Sequence, residues 1–216
     1  MEMNGERVVF KSGALVLEGR LLLPPRAGVA GVVICHPHPL YGGSMDNNVV
    51  HAVSEALAKE GMAAFCFNFR GVGRSEGIHD GGLGEIDDTL AAISFLAGRR
   101  EIHAGRIGLA GYSFGGTVAL NTARQEGRVK AVAAISPPEV PDMGGYGRPR
   151  LILCGSEDSL IPASFILQQK EQITGPDGAG AVEVIPGADH FWQGHEEILA
   201  GRIASFFQQH LMAPAG

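Results

Sequence analysis

The sequence predicts an α/β fold, a mostly parallel sheet with helices on both faces. Short, continuous apolar runs rich in Val, Ile, Ala and Phe alternate with longer segments of helical period, which is how strands buried on both faces of a parallel sheet read. The first two runs are joined closely, as in an antiparallel pair. At 216 residues and 45% hydrophobic composition, the chain reads as one domain over 1–216, able to bury a real core without disulfides or metals.

The strand-like runs, in order, are RVVF (7–10), ALVLEGRLLL (14–23), VAGVVIC (29–35), MAAFCFNF (62–69), RIGLAGY (106–112), VKAVAAIS (129–136), RLILCG (150–155) and VEVIP (182–186). Helical segments fall between the later ones. The first spans 47–59, with Asp46 as its expected N-cap. The second, 84–96, carries Glu85, Asp87 and Asp88 in its first turn, where the helix dipole favours negative charge; these acids read as helix-start charges. Further helices are expected over 114–125, 163–173 and 194–210. Strand-helix alternation of this kind places ligands outside the carboxyl ends of the strands. Catalytic residues are therefore expected in loops just after strands.

Composition excludes several functional classes. The net charge of -6, from 23 acids against 17 bases, comes with no basic cluster, so nucleic acid is not the expected partner. No apolar run approaches the roughly 18 residues of a membrane helix. The start MEMNGERVVF carries charges where an export signal has an apolar core, so a cytoplasmic protein is expected. Cys35, Cys66 and Cys154 sit in or at the end of strand-like runs, as reduced, buried thiols would.

Two segments match G-x-S-x-G: Gly73 to Gly77 around Ser75, and Gly111 to Gly115 around Ser113. With 32 glycines in the chain, chance alone supplies roughly a quarter of a match, so context must decide. A nucleophile elbow joins a strand directly to a helix and lifts its serine above the sheet. RIGLAGY runs straight into Ser113, and FGGTVALNTARQ follows with helical spacing. Before the Ser75 match stand four turn residues, and GIHDGGLG follows, too rich in glycine to start a helix. Ser113 is the expected nucleophile. The loop of Ser75, His79 and Asp80 is expected beside the site, its glycines serving tight turns.

A serine hydroxyl needs a histidine within hydrogen-bond reach, and that histidine needs an orienting carboxylate. LILCGSEDSLIP places Asp158 just past a strand, with Glu157 as the fallback. VEVIPGADHFW places His190 after the last strand, with His195 ranked second. His36 and His38 form an H-x-H pair after VVIC. Flanking prolines and the lack of a third ligand nearby in sequence argue for a positioning role at the mouth of a site rather than a metal.

Ser113, Asp158 and His190 follow the chain order of the α/β-hydrolases. The sequence resembles that superfamily over nearly its whole length, through HPHPLYGG, FRGVGRSEG, GYSFGG, GSEDSLIP and GADHF in that order. HPHPLYGGSMDN is most similar to small bacterial serine hydrolases related to dienelactone hydrolases and carboxylesterases. Dienelactone hydrolases proper carry a cysteine nucleophile where this chain has Ser113. The resemblance implies an eight-stranded, mostly parallel sheet and a serine hydrolase of carboxylic esters, with thioesters kept beside them, that needs no cofactor and no metal. It implies oxyanion donors at the backbone N–H of Phe114 and, in the loop after VVIC, of His38, with Leu40 or Tyr41 as runner-up. The connection 137–149, where relatives often insert a lid, has only 13 residues and is too short to fold alone. An uncapped site is expected, lipped by Tyr41, Met143, Tyr146 and Trp192. The expected partner is a small-molecule ester, without nucleic acid or membrane; a homodimer is left open. Two alternatives remain: cleavage of an amide, lactone or carbon–carbon bond by the same residues, and a non-catalytic binding protein on a hydrolase fold.

Overall fold

The computed structural model describes residues 5–143 and 145–212. The first four residues of the stretch read against export lie outside the described residues. Eight strands form one sheet: β1 (Glu6–Ser12), β2 (Leu15–Leu22), β3 (Val29–Cys35), β4 (Ala63–Phe67), β5 (Ile102–Tyr112), β6 (Val129–Ile135), β7 (Arg150–Gly155) and β8 (Gly180–Ile185). Their order across the sheet is β1-β2-β4-β3-β5-β6-β7-β8. β2 runs antiparallel to both of its neighbours, and every other pairing is parallel. The expected mostly parallel α/β sheet is what forms.

The α-helices among the described residues are α1 (Asn48–Lys59), α2 (Leu83–Ala97), α3 (Phe114–Gln125), α4 (Ala163–Gln168) and α5 (Lys170–Thr174), all between strands, and α6 (Glu196–Leu211), after the last one. β3, β4 and β7 are buried along their whole length, and the period of two sorts their side chains to opposite faces. On β3, Val33 and Cys35 pack toward the side of α2 and α3 with Leu109, Val118 and Ala119. Val32 and Ile34 pack toward α1 and α6 with Val53, Leu57 and Phe207. Full burial of each Val, Leu, Ile or Phe side chain among them contributes about 1.5–3 kcal/mol relative to exposure. Cys35, Cys66 and Cys154 are free and buried; burial pushes the Cys35 thiol up to about 12 despite a bond to Thr89. No helix among the described residues is long and apolar enough to cross a membrane.

Several local expectations change. Asn47, not Asp46, caps α1, its Oδ1 accepting the Val49 N–H at 3.0 Å; Asp46 pairs with Arg20 at 2.9 Å. The expected helix over 163–173 is interrupted at Gln169, giving α4 and α5. Glu85 stands in the first turn of α2 as expected, Asp87 and Asp88 lie beyond it, and both Glu85 and Asp88 are fully buried. The Glu85 carboxylate accepts the N–H groups of Asp80 (3.1 Å) and Gly82 (2.7 Å), closing the start of α2. Asp88 receives Arg70 in a fork, Nη2 at 2.8 Å and Nε at 3.0 Å, which ties the loop after β4 to α2.

The chain leaves β3 toward β4 on one side and leaves β5 toward β6 on the other. Loops that diverge in this way open a crevice at the carboxyl ends of β3 and β5. His36, fully buried, stitches one wall of it. The Phe69 N–H donates to His36 Nε2 at 3.1 Å, so Nδ1 carries the proton and donates to the Pro37 carbonyl at 2.6 Å. Desolvation lowers the His36 pKa from 6.5 to about 4, against the opposing pull of that Pro37 bond.

The folded state thus favours the neutral ring, and the unfolded chain takes up the proton first. This contribution to stability is whole above pH 6.5 and is lost as pH falls toward 4, amounting to about 3 kcal/mol. Urea midpoints measured across that window should fall for the wild type. His36→Gln should lack that part of the slope; an identical slope in both proteins would contradict the assignment.

Candidate active site

β5 ends at Tyr112 and α3 begins at Phe114, so Ser113 is the whole of the turn between them. Its backbone sits at φ 53, ψ -122, a conformation costing on the order of 1–3 kcal/mol for a side-chain-bearing residue. Two bonds hold it. The Ser113 N–H donates to Ile135 O at 2.8 Å, and the Ser113 carbonyl accepts the Gly116 N–H at 2.8 Å. The flanking glycines answer a steric demand. A methyl on Gly111 would overlap the Gly115 carbonyl, and one on Gly115 would overlap the carbonyls of Cys35 and His36. Only glycine lets α3 cross that close to the strand ends.

Ser113 Oγ lies 3.1 Å from His190 Nε2. On the ring's other side, His190 Nδ1 lies 2.8 Å from Asp158 Oδ2. A carboxylate can only accept, so Nδ1 carries the proton and Nε2 presents its lone pair to the serine hydroxyl. Asp158 Oδ1 accepts the N–H groups of Leu160 (3.0 Å) and Ile161 (2.7 Å). Burial pushes this carboxyl up, but the bonds from His190 and Ile161 outweigh it, so its pKa lies below the ordinary value.

The loop of His190 is braced from below. The Tyr112 hydroxyl donates to the His190 carbonyl at 2.6 Å. Asp189 Oδ1 accepts the N–H groups of Phe191 (3.0 Å) and Trp192 (2.8 Å). Trp192 Nε1–H reaches the buried Ser136 Oγ at 3.3 Å. Trp192 and Ser136 both hold positive φ, 61 and 44, which turns the indole down beneath the loop.

The loop after β3 sorts the oxyanion candidates by what each N–H already does. Leu40 donates to His38 Nδ1 at 3.2 Å, and Tyr41 donates to the His38 carbonyl at 3.1 Å. Both runner-up N–H groups are committed. Those of His38 and Phe114 meet no acceptor among the described residues. Both residues share the cavity wall with Ser113, and their rings lie 4.9 Å apart.

The other sequence candidates fall elsewhere. Ser75 is buried, donating to Asn68 O at 2.7 Å and accepting the Glu18 N–H at 3.1 Å, which makes it a brace between β2 and the loop after β4. Glu157 is exposed, with Oε1 accepting from Ser156 Oγ at 3.3 Å. His195 is the N-cap residue of α6 rather than part of the helix, its Nδ1 3.3 Å from the Gln193 carbonyl. His79 is more than a polar loop residue. Its Nδ1 lies 2.8 Å from buried Glu85, and its ring lies 4.9 Å from His38. Sequence spacing alone carries no signal for this second carboxylate–imidazole pair.

Ser113 and His190 open into a cavity of about 630 Å³. Tyr41 lines it as expected. Three expected lip residues do not. Trp192 is fully buried against Ser136. Met143 is packed in the core on the side of α2 and α3. Tyr146 belongs to a separate depression with Asn121 and Arg124. The walls missed from sequence are Leu160, Ile161, Phe191 and Pro138. Among the described residues lining this cavity there is no Asp, Glu, Lys or Arg. The connection from β6 to β7 has no helix or strand among its described residues, and the opening is uncapped.

Comparison with known proteins agrees with this architecture. Residues 13–154 match a family model described as X-Pro dipeptidyl-peptidase (S15 family). An uncharacterized protein of Rickettsia prowazekii is 30% identical over 82% of this chain and 78% of its own length. A putative carboxymethylenebutenolidase of Aquifex aeolicus is 25% identical over 88% of this chain and 79% of its own. A solved α/β serine hydrolase without a lid, from Xanthomonas campestris, is 26% identical with a TM-score of 0.83, covering 100% of this chain and 99% of that one.

Proposed function

We propose, from the premise that the chain belongs to the S15 family described as X-Pro dipeptidyl-peptidase and has the fold of a lidless α/β serine hydrolase, that it hydrolyses neutral carboxylic esters through an acyl-enzyme on Ser113. The observation that carries this reading is the unbroken chain from Ser113 Oγ through His190 to Asp158, at 3.1 and 2.8 Å, opening into an uncharged cavity.

Ser113 Oγ attacks the acyl carbon while His190 Nε2 takes the hydroxyl proton. Asp158 fixes the tautomer and stabilises the imidazolium. The N–H groups of Phe114 and His38 meet the developing oxyanion. His190 then returns the proton to the leaving alcohol, and water repeats the sequence to free the acid and the serine. The reaction as drawn consumes only water. The cavity wall bears on the alternatives. A peptide N-terminus brings an ammonium that needs an anion, and the acid of a carboxylated enol-lactone brings a charge that needs a cation. The wall supplies neither side-chain charge, which favours a neutral small-molecule ester.

With p-nitrophenyl acetate, Ser113→Ala should lose roughly 10⁴-fold or more of kcat, and Asp158→Asn a comparable amount through the wrong imidazole tautomer. Ser75→Ala should keep its turnover. Equal rates for wild type and Ser113→Ala would refute the nucleophile.

The oxyanion assignment has its own test. His38 has φ -57, which proline adopts without strain, so His38→Pro deletes the N–H while keeping the backbone shape. The variant His38→Ala keeps the N–H. Proline should lower kcat by roughly 10²–10³-fold relative to alanine; equal rates would move the donor elsewhere.

A further inference from the structure

The wall of the cavity and the rim around it form one apolar surface that begins at Ser113. Tyr41 is 87% exposed and Leu40 71%, both in the loop after β3; Leu160 is 58% exposed in the loop after β7, and Phe191 56% in the loop after β8. These three loops also carry His38, Asp158 and His190. Tyr41, Leu160 and Phe191 line the cavity itself, with Ile161 and Pro138. Large apolar side chains left in water next to a site mark what the site binds.

A second cavity, about 380 Å³, lies across Phe114 and His38, but its wall mixes Leu83 and Ile86 with Thr117, Asn121 and Glu139, and it does not reach Ser113. An apolar group attached to the scissile ester therefore meets the first surface, not the second.

We propose that the ester this enzyme cleaves carries an extended apolar chain, which lies along Tyr41, Leu160, Ile161 and Phe191. The proposal rests on the ester-hydrolase reading above and specifies its substrate class. Either half of the ester can supply the chain, since Ser113 and His190 both stand in the same cavity wall. The chain gains affinity through removal of its methylenes from water, on the order of two- to fourfold for each one buried. Its interaction is non-directional, so the rim residues act by area rather than by hydrogen bonding.

The test measures kcat/KM, below micelle-forming concentrations, in two series. One is p-nitrophenyl acetate, butyrate, hexanoate and octanoate, which lengthens the acyl half. The other is ethyl, butyl, hexyl and octyl acetate, which lengthens the alcohol half. At least one series should rise by roughly thirtyfold or more from its shortest to its longest member, and the rising series identifies the half that is bound. In that series, Leu160→Asn and Phe191→Ser should each cut the long-to-short ratio several-fold; as a ratio within one protein, it is insensitive to any loss of folded enzyme. Flat profiles in both series, with acetate turnover still lost in Ser113→Ala, would overturn the apolar-chain proposal alone. Acetate turnover that survives in Ser113→Ala would overturn the hydrolase reading and this proposal with it.

Discussion

The close crossing of α3 over the ends of β3 and β5 is the constraint on which the rest of the site depends. It forbids a side chain at Gly111 and Gly115 and leaves one residue, Ser113, to make the whole strand-to-helix turn at φ 53. That strain, on the order of 1–3 kcal/mol, is offset by α3 itself. Val118, Ala119, Leu120 and Ala123 are buried on its inner side, and burial of either Val118 or Leu120 alone matches the strain in size. The same crossing places Phe114, the first residue of α3, directly after the serine and in the same cavity wall. On the proposed mechanism, the position of the nucleophile and that of one oxyanion donor both follow from one packing event.

Around this point the polar groups are sorted by depth. Beneath the surface, His36, Asn68, Glu85, Asp88 and Asp158 are buried and hydrogen-bonded, so the loops that carry the site are pinned by bonds as well as by buried side chains such as Phe69 and Trp192. A buried donor or acceptor left unpaired costs about 1–3 kcal/mol, which makes each of these loops expensive to move. Above the surface the walls are apolar. His190 stands at the boundary: its Nδ1 side faces the buried carboxylate, and its Nε2 side faces the cavity. The depressed Asp158 pKa keeps that carboxylate charged as pH falls, so it can go on holding the imidazole.

The strands and the three central residues were legible because strong local rules agree with the tertiary structure there. Continuous Val, Ile and Ala runs read as strands buried on both faces of a sheet, and a serine between a strand and a helix without spare residues reads as a sharp turn. What was not legible turns on direction. Phe191 and Trp192 are adjacent and both aromatic; a positive φ at Trp192 and the two bonds to Asp189 send one into the cavity wall and the other beneath it. Met143 and Tyr146 sit in a connection that looks like a lip from sequence, yet they fold back into buried positions. Glu85 reads as a dipole charge because its partners, His79, Asp80 and Gly82, lie in a glycine-rich loop whose path is invisible locally. The choice among His38, Leu40 and Tyr41 depended on which backbone N–H remained uncommitted, and no sequence pattern encodes that.

The most direct test of the central claim is peptide mapping by mass spectrometry after the folded protein has reacted with a fluorophosphonate. An activated serine, polarised by an imidazole and facing two free N–H groups, should take up one phosphonyl group per chain, located on Ser113. A modified Ser75, or an unmodified chain after prolonged exposure of the folded protein, would contradict the account.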